Sequence, residues 1–208
     1  TREKDRRPEL AALGFRSEVL EVSRAAESPV WRLPYDAVVY AVAPGRSGDA
    51  RSAFRDGPVE CARLSLESRD GARCRFALVS STGVYDEDDG GWVDEESRAE
   101  PTEDRLRWLR ESEDALRDLA VRDSFEVVVL RLGGLYGPDR SPIQWLQRPQ
   151  MRATMARGRR DAYMNWVRVE DAAEATVLSL DAGRPGETYD VVDGEPVRRG
   201  EFYRFAAE

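Results

Sequence analysis

Small and hydroxyl-bearing residues follow three apolar segments of the chain, and they form the candidate ligand-binding turns. The turns contain Ala43-Pro44-Gly45, Ser80-Ser81-Thr82-Gly83 and Gly133-Gly134. Turns of this composition expose backbone N–H groups and allow a ligand to approach the main chain closely. Each turn also has a purely structural explanation, because strand ends require turn residues. Three such turns at one edge of a sheet would form a binding crevice.

The composition excludes several types of catalytic and metal chemistry. The sequence has no histidine, which excludes Ser-His-Asp and Cys-His nucleophile systems and histidine-ligated metals. Of the 32 basic residues only Lys4 is a lysine, so a lysine-dependent mechanism has a single candidate. Cys61 and Cys74 are too few for a disulfide framework or a zinc site. We therefore expect a reducing, cytoplasmic location.

The charge pattern argues against several partners. A net charge of −8 without a basic stripe predicts no nucleic-acid partner, and no apolar run predicts a membrane helix. The acidic segment 86–91 lacks EF-hand spacing, because Tyr85 or Gly90 would occupy ligand positions, and we interpret it as a solvated loop. Arg157, Arg159 and Arg160 form either a surface cluster or a phosphate or carboxylate clamp. No glycine-rich phosphate-binding fingerprint is present.

The positions of apolar residues predict alternating strands and helices. Strands are predicted at residues 15–22, 35–43, 75–80, 126–132, 165–169 and 187–192. Helices are predicted at residues 4–13, 49–69, 102–121, 170–180 and from 199 onward. Gly57-Pro58 is expected to kink the second helix or to begin a new one. This alternation predicts an α/β fold with a mostly parallel sheet and ligands at the carboxyl ends of its strands.

Six short segments, in order along nearly the whole chain, resemble the NAD-dependent epimerase/dehydratase branch of the short-chain dehydrogenase/reductases. The segment VSSTGVY at residues 79–85 is similar to the family's S-S-x-x-V-Y-G motif. The segment LRLGGLYGP at residues 130–138 is similar to its L-R-x-x-x-x-Y-G-P motif. The others are WVDEE at residues 92–96 with Pro101, VRVEDA at 167–172, GETYDV at 186–191, and Asp56-Gly57.

The resemblance implies a Rossmann-like, doubly wound and mostly parallel sheet with a small C-terminal substrate lobe. The first strand–helix unit, which carries the family's glycine-rich motif, has no counterpart in the sequence. The chain is therefore either a fragment or a member that has lost its pyrophosphate site. We expect an incomplete NAD(P)-binding domain at residues 1–140 and the lobe at residues 141–208, interleaved in one compact unit.

The resemblance also assigns candidate site residues. Ser81 matches the family's Ser/Thr that hydrogen-bonds the reacting oxygen, and Tyr136 is the second catalytic candidate. Tyr85 and Tyr136 carry hydroxyls nearby in the sequence. Each either substitutes for the family's catalytic acid/base or packs against other side chains. Arg2 falls where an arginine often holds the 2′-phosphate of NADP. The candidates for binding NADP or NAD are Arg2, Val42, Ala43, Pro44, Ser80, Gly133 and Gly134.

The family's catalytic Tyr-x-x-x-Lys pair has no counterpart under this resemblance. Anchoring on Pro101 and Glu113 places Arg105 at the tyrosine position and Leu109 at the lysine position. In the family the tyrosine is the general acid/base, and its pKa is lowered by the lysine and the nicotinamide charge. Arginine does not deprotonate at neutral pH, and leucine has no proton to transfer. Catalysis by that pair is therefore not expected.

Three classes of function follow. The first is an NAD(P)-dependent oxidoreductase of the epimerase/dehydratase type, acting on a small sugar-like or other carbonyl or alcohol substrate. The second is a nucleotide-binding sensor without catalysis, which explains the substituted tyrosine and lysine directly. The third is a protein-interaction module that binds no nucleotide. Family members are often dimers, so the resemblance also allows a homodimer.

Overall fold

The computed structural model describes residues 6–44, 49–68, 73–87, 89–123, 125–138, 140–146 and 159–206 of the 208-residue chain. Four residues singled out in the sequence, Arg2, Lys4, Gly45 and Arg157, lie outside the described residues. All statements about helices, strands and contacts below refer to the described part of the chain.

A four-stranded parallel sheet forms the centre of the fold. Its strands are β1 (Ala37–Tyr40), β2 (Arg75–Ser81), β3 (Glu126–Leu132) and β7 (Thr188–Val191), in the order β1-β2-β3-β7. Every neighbouring pair is parallel, so the four carboxyl ends meet at one edge. Strands of such a sheet are buried on both faces, which explains why their sequences are nearly continuous apolar runs. The predicted α/β fold with a mostly parallel sheet is confirmed.

Helices cover both faces of the sheet, as in a doubly wound fold. The helices α2 (Gly57–Glu67) and α3 (Asp104–Asp123) pack on the face that carries Phe76 and Val129. The helix α5 (Val169–Ala182) packs through Ala172 on the opposite face, which carries Ala77 and Leu130. Successive residues of a strand point to opposite faces, so β2 and β3 contribute alternately to these two apolar clusters.

The α-helix α2 begins at Gly57, which agrees with one of the two alternatives expected for Gly57-Pro58, a kink or a new helix. A π-helical turn (Ser52–Asp56) continues directly into α2, and Gly57 has helical dihedral angles, φ −62° and ψ −46°. Pro58 is accommodated because it lies in the first turn of α2, where its missing N–H costs little. A Cβ atom on Gly57 would collide with the side chains of Val22 and Tyr40. This glycine therefore permits close packing.

The N-terminal part contains the clearest error of the sequence interpretation. The helix α1 (Arg7–Ala12) is present, and Gly14 ends it with φ 84°, as predicted. The strand predicted at residues 15–22 is wrong, because residues 15–21 have no regular structure and a 3₁₀ helix (Val22–Glu27) follows. Phe15 is 62% exposed, so the alternation of apolar residues in this segment does not correspond to a buried face. A second 3₁₀ turn (Pro29–Arg32) leads into β1.

Shorter elements make up the C-terminal part. The strand β4 (Gly134–Tyr136) pairs in parallel with β6 (Trp166–Arg168), and β5 (Tyr163–Met164) pairs antiparallel with β8 (Val197–Arg198). The remaining helices are α4 (Pro142–Leu146) and α6 (Arg199–Phe205). The strand predicted at 165–169 and the helix predicted from 199 are confirmed, whereas the domain division at residue 140 stays a prediction. No described helix is long and apolar enough to cross a membrane.

Candidate functional site

Three polar residues lie side by side across the carboxyl end of the sheet. The register aligns Ser80 of β2 with Arg131 of β3, and Arg131 with Asp190 of β7. Aligned residues of neighbouring parallel strands point to the same face, so these three side chains form one row, which we call the polar row. The row lies on the face covered by α3, because Glu113 of α3 contacts it.

Glu113 of α3 pairs with the positive charge of Arg131 in the polar row. Its carboxylate accepts a hydrogen bond from the Ser80 hydroxyl at 2.5 Å and from Nη2 of Arg131 at 2.8 Å. Glu113 is completely buried, and Arg131 is only 2% exposed. A buried charge requires a partner of opposite charge and hydrogen bonds to its remaining polar atoms. The hydroxyl of Ser80, a predicted cofactor contact, is therefore engaged within the protein.

Tyr85 and Asp190 close the other end of the row. The Tyr85 hydroxyl donates to the Asp190 carboxylate, with 2.8 Å to each oxygen, and the Arg131 guanidinium lies 4.8 Å from the centre of the Tyr85 ring. Burial raises the pKa of Tyr85 above its ordinary value. Burial also raises the pKa of Asp190, and the nearby Glu95 carboxylate adds to that shift. The pair is thus a hydrogen-bonded acid/base pair at the carboxyl edge.

Ser81 faces away from the polar row. It aligns with Leu132, which belongs to the apolar cluster on the α5 side of the sheet. Its Oγ accepts a hydrogen bond of 3.1 Å from the N–H of Gly83, and the half-buried side chain thereby caps a 3₁₀ turn (Thr82–Val84). The contact orients the hydroxyl of Ser81 at the beginning of the loop that follows β2. A catalytic role of Ser81 stays a prediction.

The two α3 residues at the family's Tyr-Lys positions have other roles in this chain. The guanidinium of Arg105 lies 5.8 Å from the centre of the Phe54 ring, in a cation–π contact. Leu109 is buried, with 5% of its surface exposed. The side chain of Leu106 lies over Gly83, 3.2 Å from where a Cβ atom on that glycine would be. Neither position in α3 therefore offers a group that can transfer a proton at neutral pH.

The glycines after β3 are packed against protein atoms. A Cβ atom on Gly133 would lie 2.9 Å from the carbonyl oxygen of Asn165, and one on Gly134 would lie 2.7 Å from the Trp166 ring. The N–H of Gly133 donates to Val191, and the N–H of Gly134 donates to Asn165. Their lack of side chains is explained by the close approach of β4 to β6. Their predicted contact with a cofactor stays a prediction.

The other predicted site residues are more open or lie outside this edge. Ala43 is exposed directly after β1, and Val42 and Pro44 are half-buried. Tyr136 is half-buried and aligns with Arg168 in the pair of β4 and β6. Arg159, from the predicted arginine cluster, forms an ion pair with Asp161. Of the expected cofactor contacts that the structure describes, Ala43 and Gly134 are exposed.

Two features of the site were not found from the sequence. The ion pair between Glu113 and Arg131 and the contact between Tyr85 and Asp190 both join residues far apart in the chain. A signal for the ion pair was present, since Arg131 interrupts an apolar strand and such a buried charge requires a partner. Across the residues that the structure describes, no group of three or more acidic or cysteine side chains could hold a metal ion.

Comparison with known proteins gives a match in structure but none in sequence. No protein-family model matches the chain, and no curated protein matches it. A dTDP-glucose 4,6-dehydratase of Streptomyces venezuelae, solved with NAD bound, has a TM-score of 0.74 and 19% identity; the match covers 96% of this chain and 66% of that one. A UDP-glucuronic acid 4-epimerase of Bacillus cereus, solved with NAD, has a TM-score of 0.69 and 17% identity, covering 96% and 69%.

A third solved structure, a conserved protein of unknown function from Silicibacter pomeroyi, is 25% identical. It matches with a TM-score of 0.62 and covers 100% of this chain and 67% of its own. The chain thus spans about two thirds of the length of these three structures. The chain has the Rossmann-like α/β fold of the NAD-dependent epimerases and dehydratases, which confirms the expected resemblance at the level of fold.

Proposed function

We propose that the protein binds NAD or NADP across the carboxyl edge of its parallel sheet. The observation that carries this proposal is the match of 96% of the chain to a dehydratase that holds NAD, with a TM-score of 0.74. In open α/β sheets, ligands bind in the crevice outside the carboxyl ends of the strands. The same edge in this chain carries the polar row and the turns after β1 and β2.

The residues of this edge support binding unequally. Ala43 is exposed and Val42 and Pro44 are half-buried, so the segment after β1 is open enough for a ligand to contact it. Ser80 and Gly133 use their polar groups within the protein. The sequence also has no glycine-rich phosphate loop. We therefore assign the cofactor contact chiefly to residues 42–44.

We further propose that the protein is an oxidoreductase of the epimerase/dehydratase type. Its substrate class is a small sugar-like or other carbonyl or alcohol compound, in keeping with the dehydratase and epimerase of the same fold. The nicotinamide ring supplies a hydride acceptor or donor when the cofactor is bound. Within this chain, the Ser81 oxygen accepts the N–H of Gly83, which leaves its own proton to donate to a reacting oxygen. Tyr136 is the second hydroxyl assigned to the reaction.

A second candidate is nucleotide binding without turnover. The environment of two α3 residues favours this candidate. Arg105 stacks on the Phe54 ring, and Leu109 is buried in the apolar interior. No proton can be transferred by either residue at neutral pH. The same fold would then serve as a sensor of the nicotinamide cofactor.

One pair of experiments separates these proposals. Calorimetric titration with NADH and NADPH tests cofactor binding. Conversion of dTDP-glucose or UDP-glucuronic acid to product, followed by chromatography, tests turnover, because an epimerase or dehydratase returns the hydride to its substrate and accumulates no NADH. Binding with turnover supports the oxidoreductase, and binding without turnover on these and related sugars supports the sensor. A folded chain that binds neither cofactor contradicts both proposals and leaves the protein-interaction module.

A further inference from the structure

Asp190 joins the acidic loop to β7, a strand of the central sheet. We define the acidic loop as residues 85–87 and 89–101, which begins just after the Ser81 turn. In the described part of the chain, the hydrogen bonds that join this loop to β7 all involve Asp190. The hydroxyl of Tyr85 donates to both carboxylate oxygens of Asp190, and the N–H of Asp190 donates to the Glu95 carboxylate at 2.9 Å.

Other ion pairs of the described loop lie within it, apart from an exposed one of 3.8 Å between Asp89 and Arg159. The N–H of Glu100 donates to Asp86 at 3.2 Å, and Arg98 forms an ion pair with Asp86 at 3.3 Å, so the two ends of the loop are tied together. The middle of the loop is open to solvent, with Trp92 89% exposed. A segment with few buried contacts opens at low free-energy cost. The two contacts with Asp190 therefore help to hold the loop on the sheet, together with the Arg131 guanidinium that lies over the Tyr85 ring.

We propose that Asp190 anchors a proton-controlled clasp that holds the acidic loop against the carboxyl edge of the sheet. The clasp consists of Tyr85, Glu95 and Asp190. Because the loop starts at the Ser81 turn, a closed clasp covers the end of β7 and an open clasp exposes it. This inference does not depend on cofactor binding.

The surroundings of Asp190 determine the direction of the pH response. Burial and the carboxylates of Glu95 and Asp94 raise the pKa of Asp190 above its ordinary value, and the opposing effects of Tyr85 and Arg131 are smaller. When the loop lifts, water reaches the carboxyl group and its pKa falls back. Closing the clasp thus takes up a proton in the range between these two values. Closure is favoured as pH falls through the raised pKa and is weakened as pH rises above it.

Hydrogen exchange measured by mass spectrometry tests the clasp on the whole chain without any ligand. Protection factors for peptides covering residues 89–101 are compared from about pH 5 to about pH 8, after correction for intrinsic exchange rates. In the unsubstituted protein we expect protection to increase about three- to tenfold as pH falls, the size of one hydrogen-bond contribution. Asp190→Asn keeps an acceptor for Tyr85 without a charge, so its loop should stay protected over the whole range.

Two further variants complete the design. Tyr85→Phe leaves the Asp190 carboxylate without its donor, so protection of the loop should fall at neutral pH. Asp193→Asn is the matched control, because Asp193 lies just beyond β7 and its carboxylate accepts a local hydrogen bond from the N–H of Glu195. This variant should keep the original profile. The proposal is overturned if Asp190→Asn keeps the original pH profile, or if the unsubstituted loop shows none. Should Tyr85→Phe not fold, the Asp190→Asn comparison decides alone.

Discussion

Glu113 of α3 and Arg131 of β3 form an ion pair in the interior, with 2.8 Å between Oε2 and Nη2. The hydroxyl of Ser80, on the neighbouring strand β2, donates a hydrogen bond to the same carboxylate. One helix and two strands are thereby tied together directly beneath the carboxyl edge. Because both charges are out of water, each depends on the other for its stability in the fold.

The first prediction concerns this ion pair. Glu113→Ala should lower the free energy of unfolding by about 3–5 kcal/mol, because it leaves the Arg131 guanidinium buried without its partner. Urea denaturation followed by circular dichroism measures the change. Glu111→Ala is the matched control on the same helix, since Glu111 forms a half-exposed pair with Arg55 and should contribute less than about 1 kcal/mol. Equal losses of unfolding free energy in the two variants would show that burial does not make the Glu113–Arg131 ion pair more important than an exposed one.

The second prediction concerns Gly57 at the start of α2. Gly57→Ala should destabilise the protein by about 3 kcal/mol, because a Cβ atom would meet Val22, Tyr40 and, at 2.7 Å, the carbonyl oxygen of Ser52. Gly91→Ala is the control, since its Cβ would meet only the flexible end of Glu87, and its effect should stay within about 0.5 kcal/mol. Thermal unfolding of both variants gives the comparison. A stable Gly57→Ala variant would mean that this packing can relax.

The central strands and long helices were predictable because their patterns are continuous. The strand predicted at residues 126–132 coincides with β3, whose run of valines and leucines has no competing interpretation. The segment 15–22 shows the limit of the same reasoning. Its alternation satisfies the local criterion for a strand, but a strand also needs a neighbour to pair with, which sequence periodicity does not supply. In the structure Phe15 and Val19 are exposed instead.

The site was predictable only in its location. The turns after β1, β2 and β3 lie at one edge, as expected for a parallel sheet. The individual roles could not be read locally, because they depend on distant partners. Ser80 appeared to be a turn residue available to a ligand, yet Glu113 from α3 occupies its hydroxyl. Gly134 appeared to allow a ligand to approach, yet the Trp166 ring takes that space.

The third prediction concerns Ser81. If the protein turns over a sugar-like substrate, Ser81→Ala should abolish most of the turnover while leaving NADH binding unchanged, because its hydroxyl contacts the reacting oxygen and not the cofactor. Ser81→Thr keeps the hydroxyl and should retain activity. Steady-state rates and calorimetric titration of both variants provide the two readouts. Unchanged turnover in Ser81→Ala would remove Ser81 from the mechanism.

The fourth prediction concerns the choice between NADP and NAD. If Arg2 holds the 2′-phosphate, Arg2→Ala should weaken NADPH binding about tenfold and leave NADH binding unaltered, because one charge-assisted hydrogen bond is lost. Arg6→Ala is the control, since Arg6 is an exposed arginine nearby in the sequence that pairs with Glu9. Equal losses for the two cofactors would refute the assignment of Arg2.

The most direct test of the proposed function is calorimetric titration of the folded chain with NADH and NADPH. We expect saturable binding with one site per chain. We also expect that Ala43→Asp weakens binding, because a carboxylate in the segment that follows β1 would repel the cofactor phosphates. Ala173→Asp on the exposed side of α5 should leave binding unchanged. Absence of heat at saturating cofactor, with circular dichroism showing a folded chain, would contradict the account.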